Sequence, residues 1–69
     1  MNRTPVISSN VASVGYDANT MTLEIKFKNG DIYQYFHVPE TVYHELMCAN
    51  SIGRFVYARI RDNYRYVKV

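Results

Sequence analysis

The chain has 69 residues, a formal net charge of +2 and a single cysteine. At this length we expect one domain, residues 1–69, whose core buries only about 60% of the unfolded surface. A large catalytic pocket does not fit beside such a core, and one cysteine excludes an internal disulfide. We therefore expect a protein that is not an enzyme, that has no membrane segment and that works in a reducing cytoplasm.

The positive charge is concentrated near the C-terminal end. Residues 1–50 hold three basic and five acidic residues, whereas residues 51–69 hold five basic residues against Asp62 alone. This asymmetry predicts that the C-terminal part meets an anion, such as nucleic acid, anionic lipid or an acidic partner. A solvated basic face is the alternative interpretation.

A three-stranded sheet is predicted in the first half of the chain. Alternating residues and turn-forming residues place the strands near residues 11–17, 21–28 and 31–37, after an extended polar segment over residues 1–10. Short turns between consecutive strands indicate an antiparallel meander, which needs a cover on its apolar face.

The Asn29-Gly30 pair fixes the predicted register of the second hairpin. Asn-Gly is the strongest signal for a two-residue type I′ turn, and that turn would oppose Lys26 to Tyr33. Because opposed residues share a face, the apolar residues collect on one side, namely Met21, Leu23, Ile25, Phe27, Ile32, Phe36 and Val38. Tyr33, Tyr35 and Lys26 would then lie on the other side, away from the core.

The cover is predicted to be helical. Pro39 and Glu40 suit a first helical turn, and apolar residues recur at helical spacing through Leu46, so a helix is expected over residues 40–49. A second, shorter helix is expected over residues 54–62.

The last residues, 64–69, alternate like an extended segment, and the pattern leaves open whether that segment joins the sheet. The predicted fold class is therefore α+β, a three-stranded antiparallel meander covered on one face by one or two C-terminal helices.

Many short segments spread over nearly the whole chain form a recognisable pattern. They are Ser9-Asn10, Gly15-Tyr16-Asp17, Leu23-Glu24-Ile25-Lys26-Phe27, Asn29-Gly30, Tyr33-Gln34-Tyr35, Val38-Pro39, Leu46, Ala49-Asn50-Ser51, Gly53-Arg54-Phe55, Ile60-Arg61 and Tyr64. This pattern resembles the KTSC domain family, which is named after the C-terminus of some lysyl-tRNA synthetases and also occurs as stand-alone bacterial proteins. The resemblance implies a small domain with a suggested role in RNA binding.

Three positions depart from the family pattern. Ile52, Tyr57 and Arg65 stand where Lys, Asn and Pro are usual. The missing lysine weakens any anion site in the loop from Ser51 to Arg54, and the added arginine moves positive charge into the tail.

Tyrosine and basic side chains form the predicted binding surface. Bases can stack on aromatic rings while cations neutralise phosphates, so we expect RNA or another nucleic acid to bind through Tyr33, Tyr35, Lys26, Arg54, Arg59, Arg61 and Arg65. Two alternatives stay open. The tyrosines can be structural residues covered by the second helix or the tail, and the same surface can serve protein–protein interaction or self-association.

No catalytic residue, metal site or cofactor is predicted. His44 and Cys48 lie four residues apart on one helix, but a structural zinc site needs four ligands, and a nucleophilic Cys/His pair needs an orienting group. The Ser51-to-Arg54 loop admits both phosphate binding and plain helix capping as interpretations.

Overall fold

A five-stranded antiparallel sheet is the main element of the computed structural model, which describes residues 1–69. The strands lie side by side in chain order: β1 Thr4–Pro5, β2 Val11–Asp17, β3 Thr22–Phe27, β4 Ile32–Tyr35 and β5 Tyr66–Lys68. The α+β class is confirmed, and the predicted meander forms the centre of the sheet. The predicted count of three strands is wrong, because two short edge strands are held by pairing with β2 and β4.

Two helical stretches follow the meander. The helix α1 spans Glu40–Met47, close to the predicted range, and α2 spans Ile52–Phe55 and continues as a π-helical segment, Val56–Ile60. The second stretch begins earlier than predicted because the Ser51 hydroxyl accepts a hydrogen bond from the Arg54 N–H at 3.3 Å and caps the helix. No helix is both long enough and apolar enough to cross a bilayer.

The core lies between the helices and one face of the sheet. Its fully buried members from the sheet are Val11, Val14, Leu23 and Ile25, and the helical stretches contribute Leu46, Val56 and Ile60. At the edge of this core Tyr16 stacks on Tyr43 with ring centroids 4.8 Å apart, and its hydroxyl donates to the Val38 carbonyl at 2.5 Å. These contacts fix α1 on the sheet.

The turn between β3 and β4 has three residues, where two were predicted. The Gly30 N–H donates to the Phe27 carbonyl at 3.0 Å, and the Phe27 N–H donates to the Asp31 carbonyl at 2.8 Å. Only Gly30 in this loop has a positive φ, of 97°, whereas a type I′ turn requires a positive φ at Asn29 as well. The loop is therefore a tight turn closed by a glycine bulge.

The longer turn shifts the hairpin by one residue. Tyr33 pairs with Ile25 and Tyr35 pairs with Leu23, so the prediction that the two tyrosines point away from the core is wrong. Tyr35 is only 3% exposed and belongs to the core cluster. Ile32 and Phe36, which were predicted to lie in the core, occupy the opposite face, because a slip of one residue inverts every side chain.

A polar cluster occupies the outer face of the sheet. The Glu24 carboxylate is nearly buried there; it accepts hydrogen bonds from Gln34 Nε2 at 2.8 Å and from Arg3 Nη1 at 2.5 Å. Arg3 also donates from Nε to the Ser13 hydroxyl at 3.2 Å. The Gln34 hydrogen bond, assisted by Arg3, outweighs desolvation and lowers the pKa of Glu24.

Gly15 allows the N-terminal residues to cross this face. A Cβ atom at Gly15 would lie 2.6 Å from the Asn2 backbone carbonyl oxygen and 3.1 Å from Arg3 Cγ. We expect Gly15→Ala to lower the free energy of unfolding by about 1–3 kcal/mol, because the segment carrying Arg3 must move. Urea denaturation checks this value.

Gly53→Ala is the matched control for Gly15→Ala. The added Cβ would lie 2.5 Å from the side-chain oxygen of Asn10, an exposed group that can rotate away, and alanine favours the helix by about 1 kcal/mol. If Gly53→Ala destabilises the protein more than Gly15→Ala does, the N-terminal segment is not anchored as described.

Candidate functional site

A continuous groove runs along the helix-covered side of the protein. It consists of three adjoining cavities; the first two share Phe27, Tyr35 and Arg61, and the second and third share Asn10, Gly53 and Tyr57. We call it the tyrosine groove. It begins beside β4 and β5, passes the π-helical segment and ends at the start of α2.

Three tyrosines from adjacent strands line the first end of the tyrosine groove. Tyr33 and Tyr35 lie two residues apart on β4, and the pairing of Tyr35 with Tyr66 brings the β5 ring onto the same face. The Tyr66 ring centroid lies 5.6 Å from that of Tyr33 and 5.8 Å from that of Tyr35. Tyr66 is 55% exposed, so its ring is the open member of the cluster.

Burial separates the roles of these tyrosines. Desolvation, reinforced by Tyr33 and Tyr66, raises the pKa of Tyr35. Tyr35 therefore acts as the floor of the groove, and Tyr66 is the ring that a ligand can reach.

The π-helical segment supplies the middle of the groove. The Arg61 N–H donates to the Val56 carbonyl at 2.9 Å, a bond that spans five residues. This winding places the Arg61 guanidinium over the Tyr57 ring, 4.8 Å from its centroid, and Tyr57 is 68% exposed. An isolated π-helical turn is often found at functional sites, and here it sets a cation and an open aromatic ring side by side.

A carboxylate and an amide close the end of the tyrosine groove that lies beside β4 and β5. In a pocket of about 280 Å³, Asn29 and Asp31 of the β3–β4 turn face the tyrosine cluster. The Asp31 carboxylate accepts from Asn29 Nδ2 at 3.3 Å and lies 3.4 Å from Lys68 Nζ. At the opposite end the groove widens beside Arg54, whose side chain is exposed.

Comparison with known proteins identifies the family. The model of the KTSC domain matches residues 7–64. The chain belongs to the KTSC domain family. A KTSC domain protein of Yersinia pestis, known from a crystal structure, has 40% sequence identity and a TM-score of 0.93, with 99% of this chain and 96% of that chain covered.

Other KTSC relatives fall into two groups. A protein of Tsukamurella paurometabola is 38% identical over 91% of this chain and 94% of its own length. A lysine–tRNA ligase of Trichormus variabilis is 39% identical over 74% of this chain, but the match spans only 9% of the ligase. The KTSC domain thus occurs both as a nearly complete small protein and as a minor segment of a large enzyme.

The structure brings together part of the binding surface predicted for this KTSC domain. Tyr33, Tyr35 and Arg61 line one end of the tyrosine groove, and Arg54 lies at the other end.

Three predicted residues of the KTSC domain lie outside the groove. Arg59 is held 3.2 Å from Glu45 of α1, Lys26 lies on the outer face of the sheet opposite Ile32, and Arg65 lies beside Phe36 at the sheet edge.

The residues of the KTSC groove that were not predicted from the sequence include Asn29, Asp31, Tyr57 and Tyr66. Two signals for them were present. Tyr57 and Arg61 are four residues apart in a helical stretch and so share one face. Tyr66 and Lys68 share a side of the extended tail, and pairing with β4 turns that side toward the groove.

No three potential metal ligands of the KTSC domain lie close together. His44 is 3.5 Å from Glu40, one turn away on α1, and Cys48 is exposed. None of these side chains lines the tyrosine groove.

Proposed function

We propose that this KTSC domain is a non-catalytic module that binds single-stranded RNA in the tyrosine groove. The observation that carries the proposal is the placement of two open aromatic rings, Tyr57 and Tyr66, in one groove with Arg61 between them. Bases stack on such rings, and a guanidinium neutralises the phosphates that join them.

The chemistry of the groove favours a single strand over a duplex. Stacking requires bases whose faces are free, and a stacked base contributes roughly 1–3 kcal/mol whatever its identity. Arg54, Arg61 and Lys68 lie along the same side and can follow a phosphate backbone. The protein measures 28 × 24 × 23 Å, so a strand of only a few nucleotides can be in contact with it.

The relatives favour RNA among nucleic acids. A lysine–tRNA ligase acts on tRNA, and one such ligase contains a segment similar to this chain. A module that contacts RNA is a natural addition to that enzyme. This comparison and the groove chemistry are independent supports for the same ligand.

A binding role also fits the side chains that line the groove. The polar ones are tyrosines, cations, amides, one carboxylate and the hydroxyls of Ser9 and Ser51, and the histidines and the cysteine lie elsewhere. Acyl or phosphoryl transfer requires a nucleophile within reach of a base. Ser9 and Ser51 line the end of the groove beside Arg54, whereas Asp31 lines the opposite end.

Salt dependence tests the proposal. Three phosphate contacts to a single strand should give a slope of log affinity against log salt of about −2, at roughly −0.7 per phosphate. Arg61→Ala should make the slope shallower by about 0.7 and weaken binding to all sequences. Tyr66→Ala should weaken binding about tenfold and leave the slope unchanged. Titration of labelled uridine oligonucleotides by fluorescence anisotropy gives both quantities.

Arg59→Ala is the matched control. It removes the same charge from the same helical stretch, but its guanidinium is paired with Glu45 outside the groove. Equal losses for Arg59→Ala and Arg61→Ala would show that general charge, and not the groove, controls binding. Absence of binding at about 50 mM salt would refute the RNA proposal. The same surface would then be a protein-interaction site, for which exposed tyrosine and arginine are typical.

A further inference from the structure

The pocket at the β5 end of the tyrosine groove contains a carboxylate that phosphate binding does not explain. Asp31 lines this pocket with Tyr33, Tyr66 and Arg61, and its side chain is 35% exposed. A strand bound only through its phosphates would be repelled by a negative charge at this position. Lys68 offsets part of this charge, and a ligand group that meets the Asp31 carboxylate directly gains most by offering hydrogen-bond donors.

Asp31 has acceptor capacity left after its contacts within the protein. One oxygen accepts from Asn29 and the other faces Lys68, whereas an ionised carboxylate has about four acceptor positions. The Asp31 N–H also donates to Asn29 Oδ1 at 2.9 Å, so the turn holds the carboxylate in place. Both oxygens can still accept one further hydrogen bond each.

We propose that this pocket takes one guanine base of the bound strand, stacked on Tyr66, with its Watson–Crick edge on the Asp31 carboxylate. The proposal rests on the RNA-binding function above and adds base specificity to it. Guanine is the base that presents two adjacent donors, N1–H and the 2-amino group, which match the two oxygens of a carboxylate.

The other three bases fit this pocket less well. Adenine and cytosine place a ring-nitrogen acceptor next to their amino group, and uracil places carbonyl acceptors on both sides of its single N–H. Each of these would direct an acceptor at the Asp31 oxygens and leave a repulsive contact. At about 280 Å³ the pocket lies just below the roughly 300–1,000 Å³ of sites that hold larger ligands, which suits a single base.

Charge sets the direction of the strand. Arg61 lines the same pocket as Asp31, and its side chain also stacks on Tyr57 in the middle of the groove. With the guanine edge on Asp31, the phosphates of the strand are attracted to Arg61. The strand then runs from the Asp31 carboxylate toward Tyr57. The next base can then stack on the Tyr57 ring.

Base substitution in a uridine background tests this proposal with the full chain. The probes are labelled hexauridylate and the same oligonucleotide carrying a single guanosine, adenosine or inosine. The guanosine probe should bind about tenfold tighter than hexauridylate or the adenosine probe, the discrimination expected of a good bidentate contact. Inosine lacks the 2-amino group, so the affinity of the inosine probe should fall between that of the guanosine probe and that of hexauridylate.

Two protein variants complete the test. Asp31→Asn should abolish the preference for guanosine, so that the guanosine and adenosine probes bind it with equal affinity. Glu40→Gln, on α1 away from the groove, changes the net charge by the same amount and should retain the preference. Thermal unfolding of both variants checks that each one is folded.

The possible failures are distinguishable. Equal affinity for the guanosine, adenosine and uridine probes would overturn the guanine proposal and leave RNA binding intact. No binding of any probe would overturn both proposals. Inosine binding as tightly as guanosine would overturn the two-donor contact with Asp31, and a guanosine preference that persists in Asp31→Asn would show that Asp31 does not read the base. The inosine arm uses the unmodified protein and so does not depend on how the variants fold.

Discussion

Leu46→Ala is expected to lower the free energy of unfolding by about 2–5 kcal/mol. Leu46 is the only fully buried residue of α1, and its side chain belongs to the same cluster as Leu23 and Ile25 of the sheet. Its truncation leaves a cavity in the only core of a 69-residue chain, where total stability is modest. Urea denaturation followed by circular dichroism measures the loss.

Cys48→Ala provides the control, at the residue that follows α1. Cys48 is exposed and makes no disulfide, so the expected change is within about 0.5 kcal/mol. A loss below about 1 kcal/mol for Leu46→Ala would contradict the packing of α1 on the sheet.

Arg3→Met is expected to lower the free energy of unfolding by about 1.5–3 kcal/mol at pH 7, the usual contribution of hydrogen bonds to a charged group. Arg3 donates to the nearly buried Glu24 carboxylate and to Ser13, and methionine keeps the apolar stem without the charge. Glu24 would then retain only Gln34 as a hydrogen-bond partner on the outer face. Urea denaturation at several pH values measures the effect.

The effect should depend on pH in a definite direction. The pKa of Glu24 is lowered in the folded state, so its ion pair contributes fully above the unfolded-state value of about 4.5. That contribution is lost as the pH falls through the lower, folded-state pKa. The difference between Arg3→Met and the unmodified protein should thus be constant from about pH 6 to 7 and shrink well below pH 4.5.

Arg65→Met is the control for the loss of one positive charge, because Arg65 is exposed and forms no ion pair. An Arg3→Met effect that does not change with pH would mean that the Glu24 charge is not the partner that matters.

The second hairpin shows where sequence reasoning reaches its limit. Asn29-Gly30 correctly predicts a tight turn, but the same pair suits both a two-residue turn and a three-residue loop with glycine in the left-handed position. The residues of β4 do not distinguish the two registers, since either register places two large apolar or aromatic side chains on each face of the sheet. Tyr33 and Tyr35 share one face, and Ile32 and Phe36 share the other. The choice depends on how the tail and π-helical segment pack against the tyrosines.

The candidate site is also predictable only in part, because contacts between distant segments decide where some of its side chains lie. Arg61 lies with Tyr33 and Tyr35, as predicted, but the π-helical winding that sets its direction is not visible to a sequence pattern, which assumes regular α-helical spacing. Arg59, two residues earlier, is drawn to Glu45 on α1 instead. Helix α1 is predicted well because its apolar spacing is regular.

The two edges of the sheet are poor templates for a further strand. At one edge β1 has only two residues, and Pro5 has no N–H to offer. At the other, β5 has three residues and ends at Lys68, a residue type that discourages edge-to-edge pairing. Both edges therefore offer few free backbone groups to a second copy of the chain, which disfavours growth of the sheet from one molecule to the next.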